Sequence, residues 1–326
     1  MNDPKKSQFS DSSQKLFDCI AISSISFCKN DLLIAEARKL AKRLILNDAG
    51  QRFDEIGMIN FIKDANADAV IIGVDPCSAK VIDAAKNLKA VGKYGVGCDN
   101  VDLEYLKQKG IYFAWQGGVN RRSVSELALG FMLGHQRNIF RGIDRMQHAS
   151  WQKDGGRQLS EKTIGIIGFG FIGTDLAKLL APFNCKILIH DILDKTNECQ
   201  AFNTRQVAYE ELLKQSDMIS FHVPGGAATK HMFSDAQIKI TKPGALIVNT
   251  ARGSIVDFKA TSNAVRLGVL SGYASDVFPE EPFLSKDYPV EAGFYFTPHI
   301  GGNAQEAILS MGLAAVDGLR AYLGHN

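Results

Sequence analysis

The chain has 326 residues, 45% hydrophobic and 22% charged, with 37 basic against 35 acidic side chains for a formal net charge of +2. So balanced a charge argues against a nucleic-acid or membrane-surface partner, and no stretch approaches the ~18 uninterrupted apolar residues of a membrane span. The length exceeds what one hydrophobic core serves, which predicts two domains. Met1 to Lys15 is polar and has no apolar signal region, so it reads as a loose tail. Cys19, Cys28, Cys77, Cys98, Cys185 and Cys199 form no Cys-x-x-Cys pair and no zinc-spaced cluster. Reduced thiols in a cytoplasmic protein without a metal are the expectation.

Along the first part, short apolar strands alternate with amphipathic helices. Strands are expected at Cys19–Ser23, Arg43–Leu46, Ala69–Ile72, Lys89–Lys93 and Tyr112–Ala114, with helices such as Leu32–Ala41 and Ser78–Leu88 between them. Strands separated by helices imply a parallel sheet covered on both faces. The turn-rich Gln116-Gly117-Gly118-Val119-Asn120 ends this unit, and a long proline-free helix starts at Ser123. Ser123 and Glu126 have capping-box spacing, and Val124, Leu127, Ala128 and Phe131 make one apolar stripe. A second series places strands at Ile164–Ile167, Lys186–His190, Met218–His222, Ala245–Asn249, Gly272–Ser275 and Tyr295–Thr297. A last helix is expected from Ala304 to Leu323.

The strand at Ile164 runs directly into Gly168-Phe169-Gly170-Phe171-Ile172-Gly173, and a helix-forming run follows. Gly168 permits the tight turn, Gly170 lets backbone approach a pyrophosphate, and Gly173 brings helix and strand together. Phosphate then meets the free N–H groups at the helix N-terminus. Asp191, 23 residues beyond Gly168, ends the next strand, where it can accept from ribose hydroxyls and repel a 2′-phosphate. The expected cofactor is NAD. Downstream stand Thr250-Ala251-Arg252-Gly253, Phe278-Pro279-Glu280-Glu281-Pro282 and Thr297-Pro298-His299-Ile300-Gly301-Gly302. A guanidinium can fork a carboxylate, and a carboxylate-backed histidine can pass a proton near neutral pH. Beside a nicotinamide, these groups are what reversible reduction of a 2-oxo acid requires.

From about Ala69 to Arg320 the chain resembles the D-isomer-specific 2-hydroxyacid dehydrogenases, in the phosphoglycerate dehydrogenase and glyoxylate/hydroxypyruvate reductase branch. The motifs that carry the resemblance are Tyr94-Gly95-Val96-Gly97-Cys98-Asp99-Asn100-Val101-Asp102, Asn120 to Glu126, the glycine fingerprint, His222-Val223-Pro224, Lys242 to Asp257, Ser275-Asp276-Val277-Phe278 and Thr297 to Gly302. The resemblance implies an α/β fold of two Rossmann-like, doubly wound parallel-sheet domains with a cleft between them. Residues 1–115 and 301–326 would bind substrate, residues 116–300 would bind NAD, and the helix after Ser123 would build a homodimer. It makes Arg252 the grip on the substrate carboxylate, with the Val96 and Gly97 amides on its other side and Asn120 as an accessory contact. It makes His299 the acid/base and Glu281, immediately before Pro282, its partner in preference to Glu280. It sets Asp276, Thr250, Ala251, Gly301 and Gly302 along the nicotinamide. His222, Val223, Pro224 and Thr229 line the adenosine side.

Three features depart from the pattern. Asp75-Pro76-Cys77 stands where phosphoglycerate-acting relatives often place an arginine for the phosphate, which weakens phosphoglycerate as substrate unless Arg121 or Arg122 substitutes. Gly225-Gly226-Ala227-Ala228-Thr229 replaces a more usual leucine-threonine pair, and the chain, ending at Asn326, lacks the regulatory domain of long phosphoglycerate dehydrogenases. Glutamate at 281 argues against formate as substrate. The rival from another class is a non-catalytic NAD-sensing corepressor on the same scaffold.

Overall fold

The structure, a computed structural model, describes residues 15–283 and 292–322; the expected tail before Lys15 and the final residues from Leu323 lie outside the described residues. The chain divides into two compact units, one of residues 1–116 with 311–326 and one of residues 117–310. The second division falls inside the last helix, Gln305–Arg320, later than the boundary at 300/301 expected from the sequence.

The first unit carries β1 (Phe17–Ile22), β2 (Ala41–Leu46), β3 (Ala69–Ile72), β4 (Ala90–Lys93) and β5 (Tyr112–Ala114), all parallel, in the order β2-β1-β3-β4-β5. Cys19, Ala21, Val70, Ile72 and Val91 pack on one face against Met58, Ile62, Val81 and Leu106. On the return helix Leu319 closes over Gly92, where an added Cβ would lie 3.1 Å from Leu319 Cγ. The helix expected to reach Ala41 stops at Arg38, because Ala41 already pairs with Phe17 as the first residue of β2. The next expected helix also shortens, to Ala79–Ala84 with Ser78 at its N-cap.

The second unit carries β6 (Thr163–Ile167), β7 (Lys186–His190), β8 (Thr204–Gln206), β9 (Met218–Phe221), β10 (Leu246–Asn249), β11 (Gly272–Ser275) and β12 (Phe294–Phe296) in one parallel sheet, ordered β12-β11-β10-β9-β6-β7-β8. Successive strand residues face opposite sides of a sheet. Ile164, Ile166, Ile187, Ile189, Leu246 and Val248 therefore build one core, and Ile167, Leu188, Ile219, Phe221 and Ile247 the other. This is why these strands read as unbroken apolar runs. β8 escaped the sequence reading: Thr-Arg-Gln is short and polar, as suits an edge strand.

The capping box expected at Ser123 does not form. The helix begins at Arg121 behind Asn120, and the Ser123 hydroxyl donates to Gly301 O at 2.5 Å while accepting from Ala304 N. The stripe Val124, Ala128 and Phe131 is buried, with Leu127 packed beside it, so it belongs to the unit's own core. The helix's far end is bound through His135, whose Nδ1 meets Tyr295 OH at 3.2 Å and whose Nε2 meets Ser271 Oγ at 3.0 Å.

Burial, aided by the Arg141 guanidinium, pushes the His135 ring down to about 4. An unfolded histidine takes its proton near pH ~6.5, so this ring's contribution is complete above that pH and is lost as pH falls toward 4. Urea unfolding at pH 7 and pH 5 should therefore show less acid sensitivity in His135→Gln than in wild type, by about 1–2 kcal/mol. Equal acid sensitivity in the two proteins would show that His135 is not buried neutral.

Candidate active site

The order of the second sheet, read from β8, is 3-2-1-4-5-6 with one further strand, and its winding reverses between β6 and β9. Ligands of such sheets bind beyond the carboxyl ends of the strands at that reversal. Both neighbours end there in named motifs, β6 in Gly168 and β9 in His222. Gly168 has φ +91°, and a Cβ on it would lie 2.7 Å from the His222 carbonyl; one on Gly173 would lie 2.1 Å from Gly168 O. These contacts are with backbone, so the turn tolerates only glycine and stays open for a phosphate at the start of the helix Phe171–Leu180. A groove of about 560 Å³ runs past Gly170 and Phe171, with Arg121 and Lys195 on its walls.

Asp191 is at the end of β7 and does double duty. Its Oδ2 accepts from Phe169 N at 2.7 Å and its Oδ1 from Leu193 N at 2.9 Å, which ties the acidic residue to the fingerprint loop. Each ionised oxygen retains acceptor capacity for a hydroxyl. His222 shares a 2.8 Å hydrogen bond from Nε2 with Ser220 Oγ, and burial pushes its ring down to about 3. Its Nδ1, Thr250 Oγ1 and Asn120 Oδ1 are buried without a hydrogen-bond partner. Buried polar atoms are normally satisfied, so these three suit a polar ligand. Thr229 Oγ1 donates to Pro224 O at 2.7 Å and closes the turn that follows β9.

Arg252 begins the turn after β10. Fully buried Asn249 shapes that turn: its Oδ1 accepts from Ala251 N and its Nδ2 donates to Arg252 O at 2.9 Å. The guanidinium donates from Nη1 to Ala251 O at 2.7 Å. A Cβ on Gly253 would lie 2.0 Å from the Phe278 carbonyl carbon, so this turn is stacked directly on the backbone that leads to Glu281.

Glu281 Oε1 accepts from Phe278 N at 3.1 Å and its Oε2 meets His299 Nδ1 at 2.6 Å. An ionised carboxylate only accepts, so with Glu281 ionised the shared proton belongs to Nδ1, and Nε2 is not used by this pair. His299 has φ +55°, unusual for a side chain of this size. Asp276, 1% exposed, enforces it by accepting from Ile300 N at 2.8 Å, Gly301 N at 2.7 Å and Thr297 Oγ1 at 2.6 Å. Desolvation raises the Asp276 carboxyl and these bonds oppose it. Gly301 is required beside it, since a Cβ there would lie 2.8 Å from Asp276 Oδ2.

In the first unit, Val96 and Gly97 lie half-buried in the loop after β4. The roles of Asn249 and Ser220 escaped the sequence reading, and Ser123 was expected only as a helix cap. Each acts through a single hydroxyl or amide on backbone or on a neighbouring ring, a role that carries no motif. Among the described residues no cluster of three or more His, Cys, Asp or Glu could hold a metal, and no helix is long and apolar enough to cross a membrane.

A sheet that leaves a glycine turn open at its switch point, and sets a bonded histidine–glutamate pair at the ends of strands in the same sheet, is that of a dinucleotide-dependent oxidoreductase. Comparison with known proteins narrows the class. The family described as "D-isomer specific 2-hydroxyacid dehydrogenase, NAD binding domain" matches residues 129–301, and the chain belongs to that family, with NAD as its cofactor. It is 33% identical over 306 residues to a hydroxypyruvate reductase of Thermotoga maritima, covering 90% of this chain and 97% of the relative. It is 34% identical over 273 residues to a D-3-phosphoglycerate dehydrogenase of Escherichia coli, covering 80% and 66%. A solved D-lactate dehydrogenase of Aquifex aeolicus, complexed with NAD and lactic acid, superposes with a TM-score of 0.81 at 26% identity, covering 94% and 96%.

Replacing Asp191 with Asn removes the charge that disfavours a 2′-phosphate and weakens the tie to Phe169. Fluorescence titration should find NADH binding weakened about 10-fold and the NADH-over-NADPH preference narrowed, in line with the ~1.4 kcal/mol cost of one charged hydrogen bond. An unchanged preference would remove Asp191 from cofactor selection.

Proposed function

We propose that this chain reversibly reduces a small, unphosphorylated 2-oxo acid of the glyoxylate or hydroxypyruvate type to its D-2-hydroxy acid. The observation that carries the reading is the 2.6 Å bond between His299 Nδ1 and Glu281 Oε2, which leaves Nε2 available as the acid/base atom. NADH supplies the hydride that adds to the 2-oxo carbon. Arg252 grips the substrate carboxylate and polarises the 2-oxo group, and the Val96 and Gly97 amides are further donors to that carboxylate, with Asn120 accessory. His299, entering as imidazolium, gives its Nε2 proton to the carbonyl oxygen and recovers it in oxidation. Glu281 keeps the proton on Nδ1 and stabilises the imidazolium.

For the cofactor, Gly168, Gly170, Phe171, Ile172 and Gly173 would hold the pyrophosphate and Asp191 the ribose. His222, Val223, Pro224 and Thr229 would line the adenosine side, and Thr250, Ala251, Asp276, Gly301 and Gly302 the nicotinamide edge. The first unit is thus the substrate domain and the second the NAD domain. Free cysteines fit a cytoplasmic setting.

Two features support an unphosphorylated substrate. The Asp75 carboxylate is buried and bound to Ser23 Oγ at 2.6 Å and Phe53 N at 3.0 Å, so this loop offers an anion where a phosphate would need a cation. Arg122 is engaged by Asp175 at 3.0 Å and Arg121 by Gly118 O at 3.2 Å, which argues against either as a substitute.

His299→Asn should lower kcat about 100- to 10,000-fold, the usual worth of a general acid/base, while NADH binding stays within about twofold of wild type. Wild type should oxidise NADH with glyoxylate or hydroxypyruvate and much more slowly with 3-phosphohydroxypyruvate. If none of these acids supported turnover while NADH still bound, the NAD-sensing alternative would replace the enzyme reading.

We also propose a homodimer. With the stripe of the helix Arg121–Gln136 given to the core, the surface assigned to a partner is an apolar face of the next helix, Ile139–Gln147, where Ile139, Ile143 and Met146 are 47%, 53% and 56% exposed and no residue is buried. These positions share one helical face. Sedimentation should give a dimer that Ile143→Glu converts to monomer; a wild-type monomer at micromolar concentration would end this part of the proposal.

A further inference from the structure

We propose that Trp115 is a positioning residue that aims the Gly97 amide at the substrate carboxylate; this rests on the dehydrogenase reading above. Trp115 follows the last residue of β5, one position beyond the pair Gly92↔Ala114. Its side chain reaches over the loop after β4, and the indole Nε1–H donates to Val96 O at 2.9 Å. The Cys98 thiol approaches the same oxygen at 3.7 Å.

What this bond orients is a whole peptide unit. The Val96–Gly97 bond is not among the cis peptides, so the Val96 C=O and the Gly97 N–H lie in one plane and point in opposite directions. Holding the oxygen fixes where the N–H points. It also polarises that N–H, since hydrogen bonds in series strengthen one another. An amide that must meet an anion gains on both counts. Trp115 is 47% exposed, so burial alone does not account for a tryptophan here, whereas a donor on a rigid ring does.

The rest of the loop is fixed from below, which leaves this peptide as the part that Trp115 governs. Lys93, 4% exposed, donates to Gly73 O and to Tyr94 O. Asn100 Nδ2 donates to Gly73 O at 3.1 Å and to Asp75 O, and Tyr94 N donates to Ile72 O at 2.8 Å. The base of the loop is thus tied to the end of β3, and its crest is held through the indole.

The test compares wild type, Trp115→Phe and Trp115→His, because histidine carries an N–H at the ring position of the indole Nε1 and phenylalanine carries none. Trp115→Phe should raise the KM for glyoxylate and the Kd for oxamate, a carboxylate-bearing analogue, about 10-fold, the scale of one hydrogen bond to a charged group. Its kcat should stay within about threefold and its NADH affinity within about twofold, and Trp115→His should recover most of the loss, as expected when only a donor is removed. Unchanged KM and Kd in Trp115→Phe, or equal losses in both variants, would overturn the inference and leave the dehydrogenase reading standing. If Trp115→Phe fails to fold, a folded Trp115→His with a 10-fold higher KM also overturns it. Oxamate binding that weakens in Trp115→Phe, from an enzyme that turns over no 2-oxo acid, supports the positioning role and sinks the dehydrogenase reading. A wild type that neither binds oxamate nor turns over sinks both.

Discussion

The buried carboxylate of Asp276 is the interaction on which the geometry of the second unit's candidate site depends. It is almost fully removed from water, yet it collects two backbone amides and a hydroxyl from the segment Thr297–Gly301. Desolvating a carboxylate costs several kcal/mol unless hydrogen bonds offset it, so these donors and the acid depend on one another. Between them hangs His299 in a left-handed conformation that few non-glycine residues adopt. The ring is therefore placed by the end of β11, not by its own segment. Gly301 completes the arrangement because only a residue without a side chain lets the backbone approach that acid so closely.

The same logic, backbone brought against backbone at the carboxyl ends of strands, recurs on either side. Gly168 passes under the His222 carbonyl, and Gly253 lies on the peptide of Phe278. One contact opens a cradle for phosphate, and the other stacks the Arg252 turn on the segment that carries Glu281. The glycine turn, the Arg252 turn and the bonded His299–Glu281 pair are thus assembled at the ends of strands of one sheet, where free N–H groups and loop side chains are available.

That arrangement explains how much was legible in the sequence. Apolar runs marked most strands, because both faces of a parallel sheet are covered, and the glycine fingerprint stood out because each glycine answers a separate steric demand. Arg252, Glu281 and His299 were visible through their chemical types in motifs. Asn249 was not, since an asparagine that hydrogen-bonds its own turn looks like any strand residue. Ser123 misled: its spacing to Glu126 fits a helix cap, but the hydroxyl gains more from the backbone at Gly301 and Ala304. The apolar stripe Val124, Leu127, Ala128 and Phe131 after it is legible as a stripe. Its assignment between core and partner needed the fold, which spends it on the sheet and leaves the following helix exposed.

Substrate choice is harder to read, for a physical reason. The groups that make and break bonds are charged and belong to motifs, whereas those that select a side chain act by shape and by what is missing. Asp75 illustrates this. Its carboxylate satisfies Ser23 and the Phe53 amide inside the first unit, so its placement is structural, yet the same choice deprives the loop after β3 of a cation. A phosphate brought there would lose much of its hydration and meet a negative charge, a penalty that a glyoxylate, with nothing beyond its carboxylate and carbonyl, does not incur. A carboxylate held for a structural reason thus also opposes an anion at that loop, and this is the support it lends to the unphosphorylated substrate proposed above.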